Sequence, residues 1–250
     1  MCAYATRSIE DRVRPILAEA FLVAKLPAQR AARPRGLFVT INRQAWAGGW
    51  SLAQRLVDEL NNCERDARQP WTCWDRELVE KVAADHHISH QLIESLEDSG
   101  RSWLEEFLAS LSSDKHQAEE LKVYRRVAAT IRALAEVGRV VIVGRGGSYI
   151  TRGIPGGTHV RLVAPADHRI RSMARKLGIP PDEAAVRVRQ IDQNRLAFYR
   201  RYWPNESLSP ESFTVTLNAA EIDEQTMVDC LARLIHGRHN APAAAAAAVA

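Results

Sequence analysis

Apolar positions along this chain recur with two different periods, and the switches between them lay out a series of elements. Ile9, Val13, Ile16, Leu17, Ala20 and Phe21 fall at helical spacing, with Ser8 placed to cap and Asp11 three residues on, which predicts a helix over 8–25. Residues 26–36 (LPAQRAARPRG) lose that period and read as a linker of Pro, Arg and Gly, so 1–36 is expected to be appended to a main domain at 37–238. An apolar run over 37–41 predicts the first strand. It enters a turn holding Gly48 and Gly49, and Leu52, Leu56, Val57 and Leu60 then predict a helix over 51–61. A short strand is expected at 71–74 and a helix over 75–85. The pattern from 88 to 135 is helical, broken at 113–116 and resumed over 118–136, with Gly138 as a natural stop. Four consecutive apolar residues at 140–143 read as a buried strand leading into Gly144-Arg145-Gly146-Gly147. A strand at 159–164, a helix at 167–176 and a long helix opened by Pro180 and Pro181 and running to 202 follow. The last strand and helix are expected at 213–217 and 223–236, and the Ala-rich stretch 239–250 as a disordered tail.

Strands alternating with helices, with near-continuous apolar strand cores, imply an α/β fold: a mostly parallel sheet covered on both faces. Ligands bind such sheets at the carboxyl ends of the strands. Three of these ends deliver polar residues here: Asn42-Arg43-Gln44 with the glycine turn, Asp75-Arg76, and Gly144-Arg145-Gly146. They are far apart in sequence and converge in such a fold.

Composition narrows the setting. A length of 250 residues suffices for one α/β domain with a substantial core. The apolar runs fall far short of the roughly 20 residues that cross a bilayer, and the start (MCAYATRS) lacks a signal-peptide core. A cytoplasmic protein without membrane contact is expected. A net charge of +4 is small for a dedicated nucleic-acid binder. Only five of the 34 basic residues are lysine, which fits either genomic base composition or anion recognition by guanidinium forks. Cys2, Cys63, Cys73 and Cys230 show no paired metal-ligand spacing, so free thiols are expected. His86 and His90 share a helical face with no third ligand nearby, and read as a helix surface.

A glycine turn between a strand and a helix points unpaired backbone N–H groups and the positive helix end at one place, an outline suited to phosphate. A Walker loop puts Lys before its Ser/Thr; here Gly49 and Trp50 precede Ser51. Ser51 can cap the helix or coordinate Mg²⁺. Arg145, at the end of a buried strand, needs an anion or carboxylate partner. Asp75-Arg76 can start a helix or touch a ligand. Along 186–202, Arg187, Ile191, Arg195 and Tyr199 recur every four residues. Either this is a solvated face with Arg189–Asp192 and Asp192–Arg195 ion pairs, or it is an Arg-rich lid that neutralises a transferring phosphoryl group. The run Phe198 to Trp203 mixes aromatics with arginine, and packing on the core is the expected role rather than stacking on RNA.

In order and spacing these segments resemble the cytidylate kinase-like proteins, relatives of bacterial cytidylate kinase among the P-loop nucleoside monophosphate kinases. The resemblance runs from about residue 37 to 235 and rests on VTINRQ-(AWA)-GG, WDREL at 74–78, VIVGRG at 141–146, VRLVAP at 160–165, Asp192-x-x-Arg195-x-x-x-Tyr199 and Thr216-Leu217-Asn218. It implies a three-layer P-loop kinase fold: a five-stranded parallel sheet, helices on both faces, a helical NMP-binding insertion and an Arg-rich lid. It also implies ATP and Mg²⁺ as cofactors and CMP, dCMP or another small acceptor. Carried over by position, Ala47, Gly48, Gly49, Trp50 and Ser51 cradle the ATP phosphates, with Ser51 facing Mg²⁺. Asp75, Arg76, Arg145 and Asp192 resemble acceptor-side contacts, and Arg187, Arg189 and Arg195 fall in the lid. The sequence departs from the pattern at three places. The loop lysine falls at Gly49, a loop glycine at Trp46, and the aspartate after Gly-Arg at Gly146. Arg43 or a lid arginine then supplies the lysine's charge. The alternative is a catalytically degenerate kinase fold that binds a nucleotide or phosphorylated metabolite and reports it to a protein, with the 8–25 helix as a surface for a partner or self-association.

Overall fold

A computed structural model describes residues 36–64, 69–85, 102, 118–204, 206 and 208–240. The helix expected at 8–25, most of the helical stretch 88–117, the histidines at 86–90 and the tail from 241 lie outside the described residues. Strand β1 (Phe38–Arg43) leads into helix α1 (Gly49–Cys63). Strand β2 (Thr72–Asp75) runs straight into α2 (Arg76–Ala84), and α3 (Ala118–Val137) precedes β3 (Val140–Val143). A single turn, α4 (Gly147–Ile150), connects to β4 (Gly157–Val163). Helices α5 (Ala166–Leu177) and α6 (Pro181–Tyr202) form a hairpin before β5 (Val215–Asn218) and α7 (Glu224–Asn240).

The five strands form one sheet in the order β2-β3-β1-β4-β5. Every neighbouring pair is parallel, with Thr40 opposite Ile142 on one side and His159 on the other. Alternation along the strands builds two cores. Val39, Ile41, Val141 and Leu162 pack with Leu52 and Leu56 of α1 and Leu231 of α7. Phe38, Val140 and Ile142 face the opposite way, onto Leu78, Leu134, Tyr149, Tyr199 and Trp203 of α2, α3, α4, α6 and the residue after it. With helices on both faces, all four residues of β3 are buried, and this is why the strand reads as an unbroken apolar run. A third cluster joins Ala45 to Met173, Ala184 and Val188, with Trp46 packed against it. It seats the α5–α6 hairpin on the turn after β1.

The boundaries differ from the sequence expectation where geometry overrides periodicity. β1 extends to Arg43, and α1 starts at Gly49 because Gly48, at φ 85°, accepts the first helical bond from Leu52 N–H at 3.1 Å. β4 starts at Gly157, where a Cβ would sit 2.6 Å from Cζ of Phe38; only glycine lets the strand begin beneath that ring. β5 begins two residues later than expected, after a 3₁₀ turn at Pro210–Ser212.

Candidate functional site

The carboxyl edge of the sheet is organised around the turn from β1 to α1. Gln44 ties this turn to β4, donating its N–H to Leu162 O at 3.0 Å and accepting from Ala164 N–H through Oε1 at 2.9 Å. Gly48 holds a left-handed conformation, and no side chain caps the start of α1. The opening amides of that helix therefore lack the side-chain acceptor that usually satisfies them. Ser51 donates its hydroxyl to Gly48 O at 3.0 Å, which leaves its oxygen lone pairs uncommitted. Trp46 is accommodated by a positive φ of 61°, and its ring packs on the α5–α6 hairpin.

The Arg43 side chain lies against Gly49, the position at which the family resemblance puts a lysine. A Cβ added to Gly49 would fall 2.9 Å from Cγ and 3.2 Å from Cβ of Arg43, so the arginine side chain lies along the start of α1. Other guanidinium groups meet it. Burial lowers the pKa of Arg43, and Arg145 and Arg76 add to that effect against Tyr199 and Asp75. Burial and then Arg76 depress Arg145. Arg195 is brought down to about 10 by burial first, then by Arg43, with Arg145 a further contributor. Arg195 reaches in from α6 and donates to Arg43 O at 3.1 Å. Burial is the first cause in each case, and the neighbouring guanidiniums add to it, so positive charge from four segments is gathered at this edge.

Three carboxylates stand near these arginines, each with a fixed partner. Asp75 caps α2 by accepting Leu78 N–H at 2.8 Å, and Arg76 bonds Glu80 at 2.5 Å. Asp192 accepts Ala45 N–H at 2.9 Å and bonds Arg169 at 2.5 Å, and Arg195 is 3.7 Å away. Arg169 in turn donates to Ala164 O and Ala45 O at 2.9 and 3.3 Å. This carboxylate therefore fastens α6 and α5 to the turn. Of the residues singled out in the sequence, Arg43, Arg76, Arg145 and Arg195 come together beside the turn 47–51. Arg187 is exposed and paired with Glu183, Arg189 is exposed, and neither acts on the converging arginines. No role was expected of Arg161 or Arg169; Asn42 was expected only at the sheet edge, and Tyr199 was expected to pack on the core, which it does, while the hydrogen bonds joining Asn42 to Tyr199 and Arg161 were not foreseen. For Tyr199 the signal was present, in its four-residue step from Arg195.

A cavity of about 620 Å³ opens beside this cluster, lined by Asp75, Arg76 and Arg145 from the strand ends and by Val127, Phe198 and Tyr202 from α3 and α6. The Arg145 guanidinium lies 5.1 Å from the centre of the Phe198 ring. Size and lining suit a small ligand with one anionic end.

Residues 38–221 match the cytidylate kinase-like family along its sequence pattern. The chain belongs to that family. Among solved structures, an uncharacterized protein from Eubacterium ventriosum superimposes with a TM-score of 0.61 at 18% identity, over 81% of this chain and 99% of the other. Shikimate kinase from Bacteroides thetaiotaomicron aligns over 80% of this chain and 98% of its own, at 16% identity and a TM-score of 0.42. A search of curated proteins finds no match. The turn after β1 leads from the central strand into α1 at the carboxyl edge of this sheet. The family's departures at two positions acquire a physical setting. Gly49 lies under Arg43. At Gly146, where φ is 73°, a Cβ would come within 2.2 Å of Trp203 Cη2, so no aspartate side chain fits beside that ring.

Proposed function

We propose that the protein is an ATP- and Mg²⁺-dependent phosphotransferase acting on a small acceptor, with CMP and dCMP the first candidates. The observation that carries this reading is the meeting of Arg43, Arg76, Arg145 and Arg195 beside an uncapped helix start. ATP phosphates fit there because the opening amides of α1 lack a side-chain cap and the four guanidiniums outnumber the carboxylates beside them, Asp75, Glu80 and Asp192. Mg²⁺ fits Ser51, whose hydroxyl gives its hydrogen to Gly48 and keeps its lone pairs. When bound, Mg²⁺ would supply charge neutralisation on the phosphates. Among the described residues no group of three or more His, Cys, Asp or Glu side chains could hold a metal alone.

In this reading the amides of residues 47–51 bind the donor phosphates and Arg43 takes the lysine's role. Arg76 and Arg145 orient the acceptor's anionic end in the cavity, with Asp75 at its wall. Arg195 brings charge from α6, and Asp192 positions that helix. In-line transfer asks mainly for positioning and charge neutralisation, which this set can supply. A coupled ADP-release assay across nucleoside monophosphates tests the activity, and no turnover with any acceptor at high protein concentration rejects catalysis.

One observation favours a second reading. The Ala45 amide, part of the turn, is spent on Asp192, and glycine stands at the lysine position. A kinase fold that binds a nucleotide or phosphorylated metabolite without turnover, and signals through residues 8–25 to another protein in the cytoplasm, meets those facts. Saturable calorimetric binding without ADP release distinguishes it.

A further inference from the structure

Tyr199 stands four residues after Arg195 on α6 and is only 6% exposed. Its ring is wedged among Tyr149, Phe198 and Trp203, with centroids 6.0, 5.8 and 5.9 Å away. The phenol oxygen receives two hydrogen bonds. One comes from Gly146 N–H at 2.9 Å, a group that can only donate. The other comes from the Asn42 side chain at 2.5 Å. The orientation of that amide follows from its neighbour: Arg161 Nη1 lies 3.4 Å from Asn42 Oδ1, and an arginine can only donate, so the Asn42 oxygen faces Arg161 and its NH₂ faces Tyr199. Both lone pairs of the phenol oxygen are thereby used, and its own hydrogen must be given to something else. Among the described residues no acceptor takes it. The charged groups around Tyr199 include Arg43, Arg145, Arg161 and Arg195, and a guanidinium accepts no hydrogen bond. A buried donor among cations, with its acceptor side saturated, calls for an anionic oxygen.

We propose that Tyr199 is a ligand-binding residue whose hydroxyl donates to a phosphate oxygen beside Arg43, Arg145 and Arg195. The inference rests on the reading of this edge as a polyphosphate site and adds a neutral donor to its cations. It also gives the Gly146 departure a purpose. With no aspartate side chain there, the Gly146 amide and Trp203 hold the phenol in place. Because the hydrogen bond needs the proton, the phenol is used in its neutral form, which burial favours.

Calorimetric titration with inorganic tripolyphosphate, on wild type and Tyr199→Phe, tests this. The phenylalanine keeps the ring packing, and affinity is expected to fall by about tenfold or more, as for a hydrogen bond to a charged group. Site-specific 3-fluorotyrosine at 199 gives a readout that a packing role would not move. Its ¹⁹F resonance should shift saturably with tripolyphosphate, and its pKa should rise on binding. Equal affinity for wild type and Tyr199→Phe, or an unmoved ¹⁹F signal in a protein that does bind, overturns the role of Tyr199 and leaves the polyphosphate site standing. If wild type binds no tripolyphosphate, the proposal and the reading beneath it fall together. Should Tyr199→Phe fail to fold, the fluorotyrosine titration decides alone.

Discussion

Arg43 and Gly49 act as a pair, and each explains the other. In the proposed reading the strand end supplies a guanidinium in place of a loop lysine, and the glycine leaves room for it. Gly49→Ala removes a poor helix former and would otherwise favour α1 by about 1 kcal/mol. Its Cβ, however, meets Arg43 Cγ at 2.9 Å and displaces the arginine. The expected outcome is a folded protein whose affinity for ATP·Mg²⁺ falls by about 1–3 kcal/mol, close to the loss in Arg43→Ala; wild-type affinity in calorimetry would take Arg43 out of the site. His159 makes a separate, purely structural prediction. Its Nδ1 lies 2.8 Å from Thr40 Oγ1, and burial first, then Arg238 and Arg152, hold its pKa down to about 4. The folded state therefore binds fewer protons than the unfolded chain between about pH 4 and 6.5. Stability is fully present above that window and declines as pH falls through it, by an amount on the order of 2–3 kcal/mol. Urea denaturation at pH 7 and pH 4.5 measures the slope, which His159→Gln should flatten; an unchanged slope would assign it to other groups.

At the scale of elements, the Asp192 carboxylate is a central tie between α6 and the turn after β1, beside the Arg195 bond to Arg43 O and the Trp46 cluster. Asp192 satisfies the Ala45 amide and the Arg169 guanidinium, whose side chain is only 8% exposed. Asp192→Ala strands both, and a loss of about 3 kcal/mol is expected in chemical denaturation, with faster amide exchange at residues 45–47. A change below 0.5 kcal/mol would mean that the Trp46 cluster and the Arg195 bond seat the hairpin without it. The elements were legible in the sequence where one signal dominated. The unbroken apolar run made β3, and Pro180-Pro181 set the start of α6. Strand ends were less legible, because Gly48 and Gly157 act through backbone freedom and a neighbouring ring rather than through hydropathy. For the site, residue types at strand ends located the arginine cluster, since parallel topology delivers those ends to one edge. The partner of Asp192 and the donors to Tyr199 were hidden, because they join residues 147, 53 and 157 positions apart.

For the molecule as a whole, the fold is the five-stranded parallel sheet of a cytidylate kinase-like chain. Positive charge from β1, α2, the end of β3 and α6 gathers at its carboxyl edge, beside an apolar-walled cavity. The central claim is that this edge is a polyanion site, and calorimetric titration of ATP·Mg²⁺ into wild type and Arg145→Ala tests it most directly. The account predicts saturable one-site binding that weakens by about 1.5–3 kcal/mol in the variant and weakens further as salt is raised. No saturable binding to wild type, or equal affinity in the two proteins, would contradict it.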